Sequence, residues 1–391
     1  MCARKNILWL VSWYPDREQP VNGDFIERHA LVASAIVNVI VLHIAWDAQL
    51  SAARIEKDDT HAPHLMVYRW YDAPSTCSIT WLRKLHQFWK YFRGVIQGFR
   101  AIQQAHTPLD CIHVHVCWKA GFTALCLKWL SGKSYLLSEH ASYFQPASPH
   151  AYWQDHPWKR WMIRLILRGA SLWLPVSENL GHHMQIIAGR KQVYVLPNAV
   201  DTSLFTYREA GYHREFRTFI HVSDLQPHKR PGTIIAAFEQ VAPRLPEWRL
   251  LLVGPIRNDV KNRWQQSPYA HRIYFTGWLK PPEVAMHLQH ADVFVLYSDY
   301  ENQPCALLEA LCCGLPVVAP PVGGIAEVVN ERNGRLIPPN NLQALSDALL
   351  DIANRIDDFD RIAISLEART RFGYPAIAEH FRRIYTAYCA S

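Results

Sequence analysis

Short apolar runs recur along the chain, each closed by polar or glycine-rich punctuation and followed by a stretch with helical spacing. Asn6–Val11 (NILWLV), Asn38–Ile44 (NVIVLHI), Cys111–Cys117 (CIHVHVC), Ser134–Ser138 (SYLLS), Leu172–Ser177 (LWLPVS) and Val193–Leu196 (VYVL) read as strands of a first half. Phe219–Val222, Arg249–Gly254, Ile273–Gly277, Asp292–Tyr297 and Leu315–Ala319 read the same way in a second. Strands without polar alternation, separated by amphipathic helices, are the pattern of a buried parallel sheet. Helical patterns cover Phe25–Ile36, Trp81–Arg100, Ala120–Leu130, Trp158–Gly169, Pro282–Gln289, Leu342–Ile352 and Pro375–Tyr388. The expected class is α/β with two Rossmann-like units, residues 1–201 and 202–372, and a closing segment 373–391. Residues 202–216 read as a polar linker, and no internal repeat or low-complexity tract interrupts the plan.

The stretch Tyr297–Gly324 (YSDYENQPCALLEALCCGLPVVAPPVGG) concentrates the candidate chemistry. A strand ends at Tyr297, a polar loop carries Glu301, and Pro304 opens a helix that Gly314 stops. Glu301 lies at the carboxyl end of its strand, where open α/β sheets bind ligands. Glu309 follows eight residues on, inside the helix, and Cys305 and Ala306 offer free backbone N–H groups at the helix start. One loop therefore offers an acid for a sugar, amides for a diphosphate and a deeper acid for ribose hydroxyls.

Glu301, Glu309, Gly314–Pro316, Gly323, Gly324 and Glu327 at these spacings resemble the donor-site signature of retaining GT-B glycosyltransferases of family 4, the glycosyl transferases of group 1. The resemblance covers most of the chain. It implies two facing Rossmann-like domains, a donor-binding second domain and a final helix that crosses back to the first. It implies donor contacts for Asn302 beside Glu301 and for Gly254 at the end of the RLLLVG strand. Pro197–Asp201 (PNAVD) is similar to the family's inter-domain turn. Ser223–Arg230 (SDLQPHKR) lies where relatives carry an Arg and a Lys that grip the pyrophosphate. Lys229 keeps its place, Asp224 stands at the Arg position, and Arg230, in place of a glycine, is a substitute cation. In the first half, Gly23 after WYP resembles a glycine that lies against the donor diphosphate in a subgroup of the family. His140, after the SYLLS strand, resembles a His that reaches the donor sugar or the acceptor side.

The implied reaction moves a sugar from a nucleotide diphosphate sugar to a hydroxyl of a saccharide or lipid-linked acceptor, without a metal and without a cofactor. Asp224, a carboxylate facing a diphosphate, motivates an alternative: a non-catalytic nucleotide-sugar-binding protein. An epimerase of the same fold is another.

Composition narrows the setting. With 391 residues and 49% hydrophobic content the chain suffices for two cores. Nine cysteines without regular spacing fit a reduced cytosolic compartment better than a disulfide framework. No run of apolar residues is long enough for a membrane span. Cys111, His113, His115 and Cys117 share one face of a strand, and a flat row cannot close around a metal. Asp358–Phe359–Asp360 matches a metal-holding D-x-D pattern of a different transferase fold but reads as surface charge.

Charge is uneven. Residues 1–200 hold 21 Lys plus Arg against 13 Asp plus Glu, whereas residues 201–391 hold 20 against 21. A basic half suits nucleic acid, an anionic membrane or an acidic substrate. No nucleic-acid module is readable. In Trp81–Arg100, Leu82, Leu85, Phe88, Phe92, Val95 and Phe99 share a face, with Arg83, Lys84, Lys90, Arg93 and Arg100 over the rest. Arg160, Arg164 and Arg168 form a row on Trp158–Gly169. Such helices either lie in a membrane interface, which would place the protein on the cytoplasmic face, or cover a core with a solvated face.

Overall fold

The computed structural model describes residues 4–106, 108–209 and 216–389; residues 210–215 of the expected linker lie outside the described residues. The first half carries β1 (Asn6–Val11), α1 (Asp24–Ser34), β2 (Asn38–Trp46), β3 (Arg54–Asp58), β4 (Leu65–Asp72), α2 (Thr80–Ala105), β5 (Cys111–His115), α3 (Lys119–Ser131), β6 (Tyr135–Glu139), α4 (Pro157–Gly169), β7 (Leu172–Pro175) and α5 (Glu178–Ala188). The second carries β8 (Arg217–Val222), α6 (Pro231–Val241), β9 (Trp248–Val253), α7 (Asn258–Gln265), β10 (Ile273–Phe275), α8 (Pro281–Gln289), β11 (Val293–Val295), α9 (Cys305–Cys312), β12 (Val317–Ala319), β13 (Gly334–Leu336), α10 (Leu342–Asn354) and α11 (Arg361–Phe372). A last helix, α12, spans Tyr374–Tyr388.

The first sheet has seven strands in the order β3-β4-β2-β1-β5-β6-β7, and the second has six in the order β10-β9-β8-β11-β12-β13. All pairings are parallel except β3 on β4. Both sheets therefore reverse their winding between two central strands, β1 and β5 in one, β8 and β11 in the other. Outside the carboxyl ends of such strands a crevice opens that helices on opposite faces cannot fill. The fold is GT-B: two Rossmann-like domains.

Each sheet is covered on both faces by apolar clusters, so its central strands are buried throughout. That explains why β1, β2 and β5 read as unbroken apolar runs. The antiparallel edge strand β3 (RIEKD) is polar and partly exposed, which hid it from a search for apolar runs. Val193 makes only an isolated bridge to Trp173, so the expected strand 193–196 does not form. Asp358 and Asp360 serve local structure: Asp358 pairs with Arg355 at 3.0 Å, and Asp360 caps α11 through the Ala363 N–H at 2.9 Å.

Helix α12 joins the first half. Ile377, Phe381, Ile384 and Tyr385 are buried in its core cluster. At this depth Ile377, Phe381 and Ile384 each contribute about 1.5–3 kcal/mol. Tyr385 adds direction, accepting from Trp9 Nε1 at 3.0 Å and meeting His113 Nδ1 at 2.8 Å. At the crossing, the Val200 N–H bonds the Phe372 carbonyl at 2.9 Å.

Helix α2 departs from its sequence reading. Its buried positions are Tyr91, Gly94, Val95, Gly98 and Ile102. Gly94 and Gly98 let the helix close on Trp70 and Leu42, leaving no room for a Cβ. Of the apolar face expected from periodicity, Leu85 is 56% and Phe88 44% exposed. The first turns of α2 instead carry Trp81, Leu85, Phe88 and Trp89 outward. No helix of the described residues is long and apolar enough to cross a membrane.

Candidate active site

The two crevices face each other and form a cleft of about 250 Å³. Its second-half wall is the β11–α9 loop, with Tyr300, Glu301, Asn302, Gln303 and Cys305, and its first-half wall includes Trp13, Phe25 and His140.

The Glu301 loop is held in place by the glycine pair that follows β12. Gly323 has φ 58°, and a Cβ there would lie 1.8 Å from the Glu301 carbonyl oxygen. The Gly324 N–H bonds the Asn302 carbonyl at 2.7 Å. Two glycines of the sequence signature thus shape the loop that carries its acid.

Lys229 ends a short 3-10 turn after β8, and its Nζ pairs with Glu301 Oε1. Arg230 stands at φ 47°, in the left-handed region that a glycine adopts freely, and its Nε bonds Asp299 Oδ1 at 2.6 Å. Arg230 lines a different cavity, with Pro231, Thr233 and Tyr297, so its charge is directed away from the cleft. Asp224 is exposed, and its carboxylate accepts from the Gln226 N–H at 3.2 Å as a local turn cap. His228 stacks on Tyr300 at 4.8 Å between centroids and lines the cleft beside Glu301.

Helix α9 begins at Cys305 after Pro304, and its first N–H groups have no intrahelical partner. They sit beside Glu301 at the cleft wall. Burial pushes the Cys305 thiol up to about 12, so it is neutral at physiological pH. Glu309 lies one turn deeper, 5% exposed, and accepts from Arg28 Nη1 at 2.5 Å. Arg28 projects from α1 of the first half and also pairs with Asp24 at 3.0 Å. Burial disfavours the guanidinium charge, but Glu309 and Asp24 override it and hold the Arg28 pKa above its ordinary value. Sequence reading missed Arg28: its only local signal was the i, i+4 spacing from Asp24.

Other contacts also cross the cleft. Asn302 Nδ2 donates to the His140 carbonyl at 2.8 Å and its Oδ1 accepts from Gln145 at 2.8 Å. Asn198 bonds Gln303 twice, at 2.7 and 2.8 Å. Glu327 accepts from the Glu178 and Asn179 N–H groups at the start of α5, at 2.9 and 2.8 Å, where a helix favours negative charge. The signature acid Glu327 therefore clamps the two halves together.

Gly23, with φ 79°, opens α1, and a Cβ there would meet the Trp13 carbonyl carbon at 2.7 Å and Tyr14 N at 2.8 Å. It shapes the wall that Trp13 and Phe25 present to the cleft. Gly254, with φ 145°, closes on the Ser223 carbonyl, where a Cβ would lie at 2.0 Å, and so fixes the strand end below Lys229. His140 lines the cleft, while its Nε2 is buried without a protein partner. Burial takes its pKa well below the ordinary value. The preceding Glu139 accepts from the N–H groups of Cys117, His140 and Ala141, yet burial still raises it to about 7. The structure thus lines one cleft with Glu301, Asn302, Cys305 and His140, holds Lys229 against Glu301, keeps Ala306 and Glu309 deeper in α9, places Gly23 and Gly254 behind the walls, and leaves Arg230 outside.

A family described as Glycosyltransferase Family 4 matches residues 37–204, and one described as Glycosyl transferases group 1 matches residues 216–355. The putative colanic acid biosynthesis glycosyltransferase WcaL of Salmonella typhimurium is 29% identical over 216 residues, 53% of each chain. The match thus spans about half of that relative's length. The putative teichuronic acid biosynthesis glycosyltransferase TuaC of Bacillus subtilis is 23% identical over 362 residues, 88% of each chain. Among solved structures, sucrose-phosphate synthase from Thermosynechococcus elongatus superposes with a TM-score of 0.77 at 20% identity, covering 98% of this chain and 99% of its own. Anabaena HepE in complex with UDP and glucose superposes at 0.70 with 18% identity, covering 98% and 100%.

Proposed function

From the premise that the chain belongs to the family 4, group 1 glycosyltransferases, we propose that it transfers a sugar from a nucleotide diphosphate sugar to a hydroxyl acceptor with retention at the anomeric carbon. The acceptor is a growing cell-surface polysaccharide or glycolipid, lipopolysaccharide among them. The observation that carries this reading is the Glu301–Lys229 pair beside the first amides of α9 at the crevice of the second sheet, with Glu309 in the same helix behind them.

When the diphosphate leaves, negative charge grows on its bridging oxygen and positive charge on the anomeric carbon. Fixed donors aimed at the growing anion lower that barrier without reorganising. Lys229 and the N–H groups of Cys305 and Ala306 are such donors, so no metal is assigned to the diphosphate. Lys229 is held by Glu301. A bound diphosphate takes over the ammonium, and the released Glu301 carboxylate accepts from sugar hydroxyls, with Asn302 beside it. His140 walls the sugar site from the first half. Glu309 exchanges part of its bond with Arg28 for the ribose hydroxyls. Retention then follows from attack on the face the diphosphate leaves, both events occurring within one ion-paired cleft. Gly23, Gly254 and Arg230 contribute by shaping and bracing these loops.

The acceptor side is the first half, and its exposed aromatic and basic surface on α2 and α4 suits an anionic lipid surface. Trp81, Trp89, Trp158 and Trp161 are exposed beside Arg83, Lys84, Arg93 and Arg164. Peripheral contact with the cytoplasmic face of a membrane would bring a lipid-linked acceptor to the cleft. We place the unit boundaries at residues 201 and 372, either side of the Val200–Phe372 crossing.

A thermal-shift panel of UDP, GDP and ADP with their sugars tests the donor site, with UDP first because HepE holds it. A ligand at a hundred times its dissociation constant adds about 2.7 kcal/mol of stability. The reading fails if no nucleotide sugar shifts the melt, or if Glu309→Ala leaves donor turnover unchanged.

A further inference from the structure

Directly behind the cleft, three imidazoles from three elements converge. His29 comes from α1, His115 from the end of β5, and His140 from the residue after β6. One ring nitrogen of each lies within 4.8 Å of the other two.

Hydrogen bonding decides which nitrogens face inward. His29 Nε2 lies 2.8 Å from the Pro197 carbonyl oxygen, an acceptor only, so Nε2 carries the proton and Nδ1 a lone pair. His140 Nδ1 lies 3.2 Å from Asn198 Oδ1, whose amide is oriented by the bond from Nδ2 to the Gln303 carbonyl. His140 Nε2 therefore presents the second lone pair. His29 Nδ1, His140 Nε2 and both nitrogens of His115 are buried with no protein partner. Buried polar atoms left without partners are rare and costly, and here they occur together. The neighbouring His113 differs: Tyr385 and Ser138 satisfy its two nitrogens at 2.8 Å each.

We propose that His29, His115 and His140 form a binding site for a divalent transition-metal ion of the zinc class. Neutral imidazoles suit zinc, copper or nickel, whereas magnesium and calcium take oxygen ligands, so this is not a diphosphate-bridging cation. Outer bonds from two of the rings to oxygen acceptors are the arrangement that orients metal-bound histidines. Tetrahedral zinc, with bonds of about 2.0–2.1 Å, separates its ligand nitrogens by about 3.3 Å, so the rings need to close by up to about 1.5 Å. Trp9, stacked on His115 at 4.0 Å, restricts that ring beforehand. Three protein ligands leave one position for water or another small ligand. The bound ion would tie α1, β5 and the loop after β6 together behind the first-half wall, independently of the transfer reaction.

The full chain, purified without a polyhistidine tag and stripped with a chelator, is titrated with Zn²⁺ by calorimetry and with Co²⁺ by visible absorption. The expected result is one equivalent of metal, with affinity reduced at least about 100-fold in His29→Gln and His115→Gln. His182→Gln, on the surface helix α5, should bind like the parent. X-ray absorption of the unmutated zinc form should show three imidazoles, a measurement that stands even if a variant fails to fold. Nucleotide-induced thermal shifts recorded in parallel report on the donor site separately. Zinc binding equal in the parent and in both variants, an imidazole count other than three, or no zinc retained by the parent because the pocket holds water only, would overturn the proposal.

Discussion

The two halves repeat one strand order on two different surfaces. In the second half the acid-rich cleft loop meets its cations one for one: Lys229 with Glu301, Arg230 with Asp299. In the first half, among the described residues, the cations of α2 outnumber their acidic partners. Lys90 reaches Asp72 at 3.1 Å, but no acid lies between Asp72 and Asp110 to meet Arg83, Lys84, Arg93 or Arg100. Exposed aromatics divide the same way, gathered mainly on α2 and α4 in the first half and represented by Tyr274 and Trp278 in the second. The same winding thus presents two unlike surfaces, as the donor and membrane roles proposed for them require. A small charged donor is best met by balanced charges that exchange partners, and an extended anionic surface by cations that have none.

The sharpest way to break that contrast is to remove the exchanging cation. Lys229→Ala should lower the rate of nucleotide diphosphate release by about 10²- to 10³-fold, read from steady-state kinetics. Next comes the pair that joins the halves. Arg28→Ala leaves Glu309 without its ion-pair partner and should cost on the order of 2–3 kcal/mol in urea unfolding, less than a fully buried pair because Arg28 is partly exposed. Arg28→Met with Glu309→Leu should recover much of that stability while donor binding is lost. On the first-half surface, Arg83→Gln with Lys84→Gln should weaken binding to anionic vesicles by about 2 kcal/mol, roughly 30-fold, in a sedimentation assay. Arg332→Gln with Arg371→Gln in the second half should leave vesicle binding unchanged, and equal losses from both pairs would erase the distinction. The smallest effect belongs to Asp224→Asn: an exposed turn cap should change turnover by less than about fivefold.

Much of the cleft loop was legible because it is local. Glu301, the helix start at Cys305 and Glu309 lie within one strand-loop-helix unit, and rise per residue alone sets their separation. Gly323 and Gly324 were recognisable as part of the signature, but only the tertiary structure shows that they close on the Glu301 and Asn302 backbone. Arg28 was not legible: an Arg four residues after an Asp describes countless solvated helices, and its partner lies 281 residues away. The histidines of β5 were read as a flat row along one strand. The structure turns His113 toward Tyr385 and His115 toward two rings from other elements.

The sequence by itself determined the doubly wound architecture, the acidic loop between β11 and α9 and the basic bias of the first half, because strand burial, helix termination and net charge depend on near neighbours. Tertiary structure alone decided which face of α2 is buried, which cation reaches the cleft and which histidines meet. Periodicity counts apolar residues and cannot tell a core contact from an exposed one. On α2 two glycines, which carry no hydrophobic signal, set the packed face by admitting Trp70 and Leu42. At the cleft, Lys229 and Arg230 are adjacent in the chain and carry the same charge, yet with the left-handed turn at Arg230 they reach different acids, Glu301 and Asp299.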